Sequence, residues 1–370
     1  MRALLSSIGS RGDVQPILAL ALELRQLGHQ GVLLVAPNFR DWVESFGIEC
    51  LPVGPDLKKT SIRMAQASAA SHKPSREQMR QLASQAVRQQ FEATMQAARG
   101  CDVIVSGGGA LQTAGRSIAE ARNVPYVYAA YCPAVLPSPD HPPPKMRARI
   151  RSQTLPKLAN RLLWKLDERS WNAFFLNTVN EQRTALGLPA VEHVPRYVST
   201  AAPWLATDPI LGPPARYPSN PGVTQTGAWL LPDSTSLPDE VERFLSAGEP
   251  PVYFGFGSMV ASSQAGPMLV ETARALGRRA IVSRGWGELG VIDGRDDCII
   301  VGDLNHERLF GRVAAIVHHG ALEPQWPPLA RESRRLSFLT TMISTTGRGA
   351  SRSWESVCRV PRGSISRPAR

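Results

Sequence analysis

The stretch Arg2-Ala3-Leu4-Leu5-Ser6-Ser7-Ile8-Gly9-Ser10-Arg11-Gly12-Asp13 decides the fold. A short apolar run breaks at two glycines. Behind it Val14, Ile17, Leu18, Leu20, Ala21, Leu24 and Leu27 recur at helical spacing until Gly28 stops them. Residues 31–37 read as a second strand, 39–46 as a short helix and 48–53 as a third strand. Strand, helix, strand, helix, strand with tight connections predicts a parallel, doubly wound α/β sheet. Taken alone, the turn after the first strand is either structural, with Asp13 as helix N-cap, or a place where helix-start amides receive an anion.

The pattern continues outward. Residues 102–106 and 126–129 are continuous apolar runs, suited to strands buried on both faces, and they flank a helix near 113–122. Residues 132–145 carry six prolines and form a loop, and a long helical stretch follows from about 157 to 186. A second α/β pattern opens with Val252-Tyr253-Phe254-Gly255-Phe256-Gly257-Ser258. It proceeds through a helix at 268–276, strands at 279–283 and 299–302, a short helix at 306–310 and a strand at 314–318. The expected organisation is a first domain over 1–210, a Pro/Gly-rich linker over 211–224, a partial second domain over 225–320 and a tail over 321–370. Two such halves face a cleft between strand C-terminal ends, where open α/β sheets bind ligands.

Composition narrows the function classes. No run of about 18 apolar residues occurs, so no transmembrane helix is expected. The first ten residues superficially resemble a signal peptide, but their apolar region is too short. Cys50, Cys101, Cys132, Cys298 and Cys358 are odd in number and form no CxxC pair. That spacing argues for reduced, cytoplasmic thiols and against a disulfide frame or a metal site. Of the net charge of +11, residues 321–370 supply +6 from nine Arg and three Glu. The basic excess sits in the tail without a nucleic-acid-binding motif, so no specific nucleic-acid partner is expected.

Gly9-Ser10-Arg11-Gly12-Asp13-Val14-Gln15-Pro16 resembles the opening of the bacterial natural-product and sterol glycosyltransferases. These are UDP-glycosyltransferase-like enzymes with the GT-B fold, two Rossmann-like domains facing a cleft. The agreement extends through Ala36-Pro37-Asn38-Phe39 and Pro52-Val53-Gly54, and continues motif by motif to Gly320. The resemblance implies that Asp13 faces the cleft as base for the acceptor hydroxyl, where desolvation raises a carboxylate's pKa. It places Ser10 and Arg11 among the donor-binding positions. Phe254-Gly255-Phe256-Gly257-Ser258-Met259 matches a turn where Gly257 and Ser258 approach phosphate; otherwise it is a plain strand-end turn. In Ile281-Val282-Ser283-Arg284-Gly285-Trp286-Gly287, Trp286 either stacks on the donor base or lines the cleft. Val301-Gly302-Asp303-Leu304-Asn305-His306 puts the Leu304 backbone near the nucleobase. Without the resemblance Asp303 and Asn305 are ordinary turn residues.

Val317-His318-His319-Gly320 opens the most specific match. In the family this continues His-His-Gly-Gly-Ala-Gly-Thr-Thr, a turn whose helix holds the diphosphate, with His319 bonding a phosphate oxygen and Gly320 starting the turn. The implied reaction is inverting sugar transfer from a UDP- or dTDP-sugar co-substrate to a lipophilic hydroxylated acceptor. It needs no cofactor and no obligatory metal, the helix dipole and His319 stabilising the leaving diphosphate. Residues 55–98 and 132–171 are the expected walls of the acceptor pocket.

After Gly320 the chain departs from the family, with Ala321-Leu322-Glu323-Pro324-Gln325-Trp326-Pro327-Pro328. The genetic code accounts for this. Joining the third base of the Gly320 codon to the first two of Ala321, and continuing in that register, permits Gly-Ala-Gly-Thr-Thr-Met-Ala-Ala. Trp326 has one codon, so its final G with the first two bases of Pro327 gives Ala without choice. The same shift turns 330–335 into Ala-Gly-Val-Pro-Gln, and 340–349 into a run containing the Asp-Gln pair that grips sugar hydroxyls in the family. One lost nucleotide in a run of G explains the series; a divergent C-terminus with its own role is the alternative. On the frameshift reading the tail is disordered or poorly packed, the second domain is truncated, and the chain as written is inactive.

Overall fold

A computed structural model of the chain describes residues 1–69, 74–108, 112–147, 155–210, 212, 216–217, 220–260, 265–289 and 293–318. The expected tail, and His319 and Gly320 before it, lie outside the described residues. The chain divides into two compact units, with the change between Ser234 and Thr235.

The first unit opens with β1 (Arg2–Ser7), α1 (Arg11–Gln26), β2 (Gln30–Val35), α2 (Arg40–Glu44) and β3 (Glu49–Pro52). Helices α3 (Leu57–Ala69) and α4 (Arg76–Ala97) lead to β4 (Val103–Gly107), α5 (Gly115–Arg122) and β5 (Tyr126–Ala130). Helices α6 (Pro144–Arg147), α7 (Lys157–Ala185) and α8 (Val194–Ser199) precede two short strands, β6 (Trp204–Leu205) and β7 (Thr224–Gln225). All seven strands pair in parallel in the order β3-β2-β1-β4-β5-β6-β7. The winding runs outward from β1 to β3, then restarts at β4 on the other side of β1. The switch point therefore lies between β1 and β4, the place where such sheets bind ligands.

Local chemistry sets these boundaries. Ser10 is the N-cap of α1, extended at φ −75° and ψ −178°. Asp13 sits three residues on, so it completes the cap rather than being the N-cap itself. At the other end Gly28 takes φ +78°, which a side chain would resist, and the His29 amide returns to the Leu24 carbonyl at 2.8 Å. Leu4, Val32, Leu34, Ile104 and Tyr128 face one side of the sheet and pack with Phe91 of α4, Ile118 of α5, Val179 of α7 and Val198 of α8. Leu5 and Leu33, next in register, are fully buried on the opposite face by strand alternation. A buried cation locks the far end: Arg183 of α7 donates to Glu120 at 2.8 Å, to Ser117 at 3.1 Å, to the Pro189 carbonyl at 2.8 Å and to the Tyr197 hydroxyl.

The second unit carries α9 (Asp239–Ser246), β8 (Val252–Gly255), α10 (Ala265–Ala275), β9 (Ala280–Ser283), β10 (Cys298–Val301), α11 (His306–Phe310) and β11 (Ala315–His318). Its four described strands are parallel in the order β10-β9-β8-β11. Phe254, Phe256, Val270, Ala273 and Val282 form its apolar cluster.

Candidate functional site

The Ser10–Asp13 turn follows β1 at the switch point, and the Asp13 carboxylate folds back over it. Asp13 Oδ2 accepts from the Ser10 amide at 2.8 Å and from the Ser10 hydroxyl at 3.2 Å. This is the reciprocal arm of a capping box, which also places negative charge at the positive end of α1. Ser7, the last residue of β1, donates to the Asp13 carbonyl at 2.9 Å and reaches the Gly107 carbonyl at 3.3 Å. That hydroxyl ties the ends of β1 and β4 together beneath the turn.

Glycines make the close approach possible. A Cβ on Gly9 would fall 2.7 Å from Asp13 Cβ and closer still to its carboxylate, and one on Gly108 would lie 3.0 Å from Asp13 Oδ1. Gly108 also has φ +94°. Gly107 leaves room for the Tyr131 ring, whose hydroxyl is buried beside the Ser7 side chain. Trp229 packs edge-on against Tyr131 at 5.8 Å and against Trp204 at 6.1 Å, holding that ring in place. Burial pushes the Asp13 carboxyl above its ordinary range, and the two Ser10 hydrogen bonds pull it part of the way back. Burial, and then the neighbouring Asp13, likewise push the Tyr131 phenol up. The outcome is a carboxylate that holds a proton more readily than one in water, beside a buried phenol.

Tyr128 connects this corner to a cavity of about 1040 Å³. Its hydroxyl donates to the Gly108 carbonyl, and its ring lines the cavity together with Val135, Trp164, Trp171 and Val198. Within the wall, Lys145 Nζ lies 3.6 Å above the Trp171 ring, and Trp171 donates to Asp167 Oδ2 at 3.1 Å. The cavity is lined partly from 135–171, one of the stretches expected to wall an acceptor pocket.

The other expected donor positions fall as follows. Arg11 shares the turn with Ser10, but its guanidinium lies over the Trp42 ring at 4.7 Å. In the second unit, Gly257 and Ser258 follow β8, Trp286 follows β9 and Leu304 follows β10, so all sit beyond strand C-terminal ends. Gly257 and Trp286 are joined directly, the Trp286 amide donating to the Gly257 carbonyl at 2.9 Å. Gly285, at φ +54°, admits that contact because a side chain there would overlap the same carbonyl. Leu304 is half-buried, and Asn305 beside it caps α11 through the Arg308 amide at 3.1 Å and holds the Thr235 carbonyl at 2.9 Å. Sequence reasoning missed Ser7, Gly108, Tyr128 and Tyr131. The one available signal was the glycine run after β4, which is where a backbone approaches closely.

The glycosyltransferase family 28 N-terminal domain matches residues 3–138. The chain is 39% identical over 321 residues to the vancomycin aglycone glucosyltransferase of Amycolatopsis orientalis, covering 86% of this chain and 76% of that one. It is 38% identical over 322 residues to the dTDP-epi-vancosaminyltransferase of the same organism, covering 86% and 74%. Among solved structures, the glycosyltransferase VinC in complex with dTDP superposes with a TM-score of 0.54 at 17% identity, covering 88% of this chain and 77% of that one. With a switch-point carboxylate, two parallel sheets and this degree of identity, the chain belongs to the vancomycin-type natural-product glycosyltransferases, of GT-B fold with a family 28 N-terminal domain.

Proposed function

We propose that this sequence descends from an inverting transferase that moves a sugar from a UDP- or dTDP-sugar to a hydroxyl of a lipophilic natural product. The observation that carries the reading is the Asp13 carboxylate, held by Ser10 at the β1/β4 switch point and desolvated there. A base in that state accepts the acceptor proton as the oxygen attacks the anomeric carbon, and the nucleoside diphosphate departs from the opposite face. The acceptor occupies the apolar cavity reached through Tyr128, and Gly257, Ser258, Trp286 and Leu304 belong to the donor side. A relative named for a dTDP-sugar, and a neighbour bound to dTDP, support that donor class.

On the same reading the chain as written binds an acceptor but does not transfer. The two Amycolatopsis matches each leave 14% of this chain uncovered, a share that residues 321–370 would account for on the slipped-frame reading. The diphosphate-holding helix and the sugar-gripping Asp-Gln pair are then missing. Restoring one nucleotide after the Gly320 codon tests this. The repaired protein is expected to transfer sugar from a UDP- or dTDP-sugar, and the parent to release none. In the repaired protein Asp13→Asn is expected to cut turnover by about two to four powers of ten with donor affinity nearly unchanged. Tight donor binding by the parent chain, measured by calorimetry, would contradict the frame account. Full turnover in repaired Asp13→Asn would remove Asp13 as the base.

A further inference from the structure

The first half of α7 carries an exposed surface that extends beyond the wall it lends to the cavity proposed for the acceptor. Leu158, Leu162 and Leu166 are 75, 57 and 42% exposed, an unusual state for three leucines on one helix. They are spaced four apart, so they form one ridge along the helix. One residue ahead of each stands a cation, Lys157, Arg161 and Lys165, and Arg169 extends that row; all four are exposed. Arg161, Lys165 and Arg169 join no ion pair among the described residues. The two rows run side by side, the basic one spanning about 18 Å from Lys157 to Arg169.

The acids of the same segment do not neutralise this face. Asp167 is buried and accepts from Trp171, while Glu168 is held by Arg196 at 3.1 Å and by His193 at 2.6 Å. The result is a helix face with an exposed apolar ridge and an adjoining basic ridge, of which Arg161, Lys165 and Arg169 join no ion pair among the described residues. That is the arrangement by which a helix lies in a membrane interface, apolar side chains among acyl chains and cations among anionic headgroups. No described helix is long and apolar enough to cross a membrane, so the contact is in the plane of the surface.

We propose that this face of α7 docks the protein on an anionic lipid surface. Charge complementarity selects that occupant over a second copy. A two-fold contact through the leucine ridge would set the Lys157–Arg169 row against itself, four like charges facing four. A bilayer rich in phosphatidylglycerol offers the opposite charge and an apolar layer beneath it. Leu158, Leu162, Arg161 and Lys165 also line the cavity beside Tyr128, so docking through this face would turn that opening toward the lipid.

The test uses the full chain and vesicles of phosphatidylcholine, alone or with an equimolar share of phosphatidylglycerol, read by co-sedimentation. Binding is expected to the anionic vesicles only, and to weaken as salt is raised. Replacing the ridge by Leu158→Ser, Leu162→Ser and Leu166→Ser leaves every charge in place, including those of residues 321–370. This triple variant is expected to lose at least about tenfold in vesicle affinity while keeping the parent's circular dichroism and melting temperature. Lys157→Gln, Arg161→Gln, Lys165→Gln and Arg169→Gln are expected to cost about fivefold each. Absence of binding, equal binding to neutral vesicles, or undiminished binding by the leucine variant would each overturn the proposal, the last assigning the attraction to charge alone. Gel filtration showing a lipid-free dimer that the leucine variant abolishes would assign the face to a second copy instead.

Discussion

Gly9→Ala is the substitution that most directly questions the geometry around Asp13. The new methyl would stand 2.7 Å from Asp13 Cβ, where unstrained carbon contacts lie at about 3.5–4.0 Å. Gly9 needs no left-handed backbone, so the perturbation is steric and falls on one side chain. Asp13 must rotate away, breaking its 2.8 Å bond from the Ser10 amide and its 3.2 Å bond from the Ser10 hydroxyl. A hydrogen bond to a charged group contributes about 1.5–3 kcal/mol net. Release of the carboxylate toward water returns part of its desolvation cost, leaving an expected loss of about 1–2 kcal/mol. Urea unfolding followed by tryptophan fluorescence suits the measurement, since Trp42, Trp164, Trp171, Trp204 and Trp229 all report from the first unit. In an Asp13→Gly background the clash partner is gone, and Gly9→Ala should then cost under about 0.5 kcal/mol. Equal costs in the two backgrounds would refute the claim that Gly9 exists to admit the carboxylate. If Asp13 is the base proposed above, the same displacement in the frame-restored protein should lower turnover by about a hundredfold.

Asp13 should also leave a mark on the pH dependence of stability. Its folded pKa stands above the ordinary value of 3.8, so its contribution is fully present below that value and is lost as pH rises through the folded pKa. Asp13→Asn should therefore gain stability over the parent at neutral pH relative to pH 4 in denaturation titrations, and a pH-independent difference would contradict the burial. Arg183→Met removes a cation that is 2% exposed and leaves Glu120, Ser117 and Tyr197 without their shared donor. Thermal or urea unfolding should register a loss of about 3 kcal/mol. Gly285→Ala forces a side chain into φ +54° and onto the Gly257 carbonyl, costing about 2–4 kcal/mol locally. Amide exchange at Trp286 should accelerate by at least about tenfold, since its bond to Gly257 is the one displaced.

Much of the fold was legible because buried parallel strands and amphipathic helices write their periods directly into sequence. The runs at 31–37, 102–106 and 126–129 became β2, β4 and β5 within two residues, and the stretch expected at 157–186 became α7, Lys157–Ala185. The two-residue strands β6 and β7 left no such trace, because pairing of so few residues is dictated by the neighbouring edge rather than by their own pattern. The Ser10–Asp13 turn could be read as an anion or cap site, and resemblance supplied the role of Asp13. What the sequence could not supply was its surroundings. Gly108 and Tyr131 lie about a hundred residues away and come to Asp13 only because β4 pairs with β1 and β5 with β4. The identity of Asp13 as a short carboxylate at the head of a helix is local information. Its desolvation, on which the proposed role as base depends, is a property of the segments folded around it, because burial is decided by what packs from elsewhere.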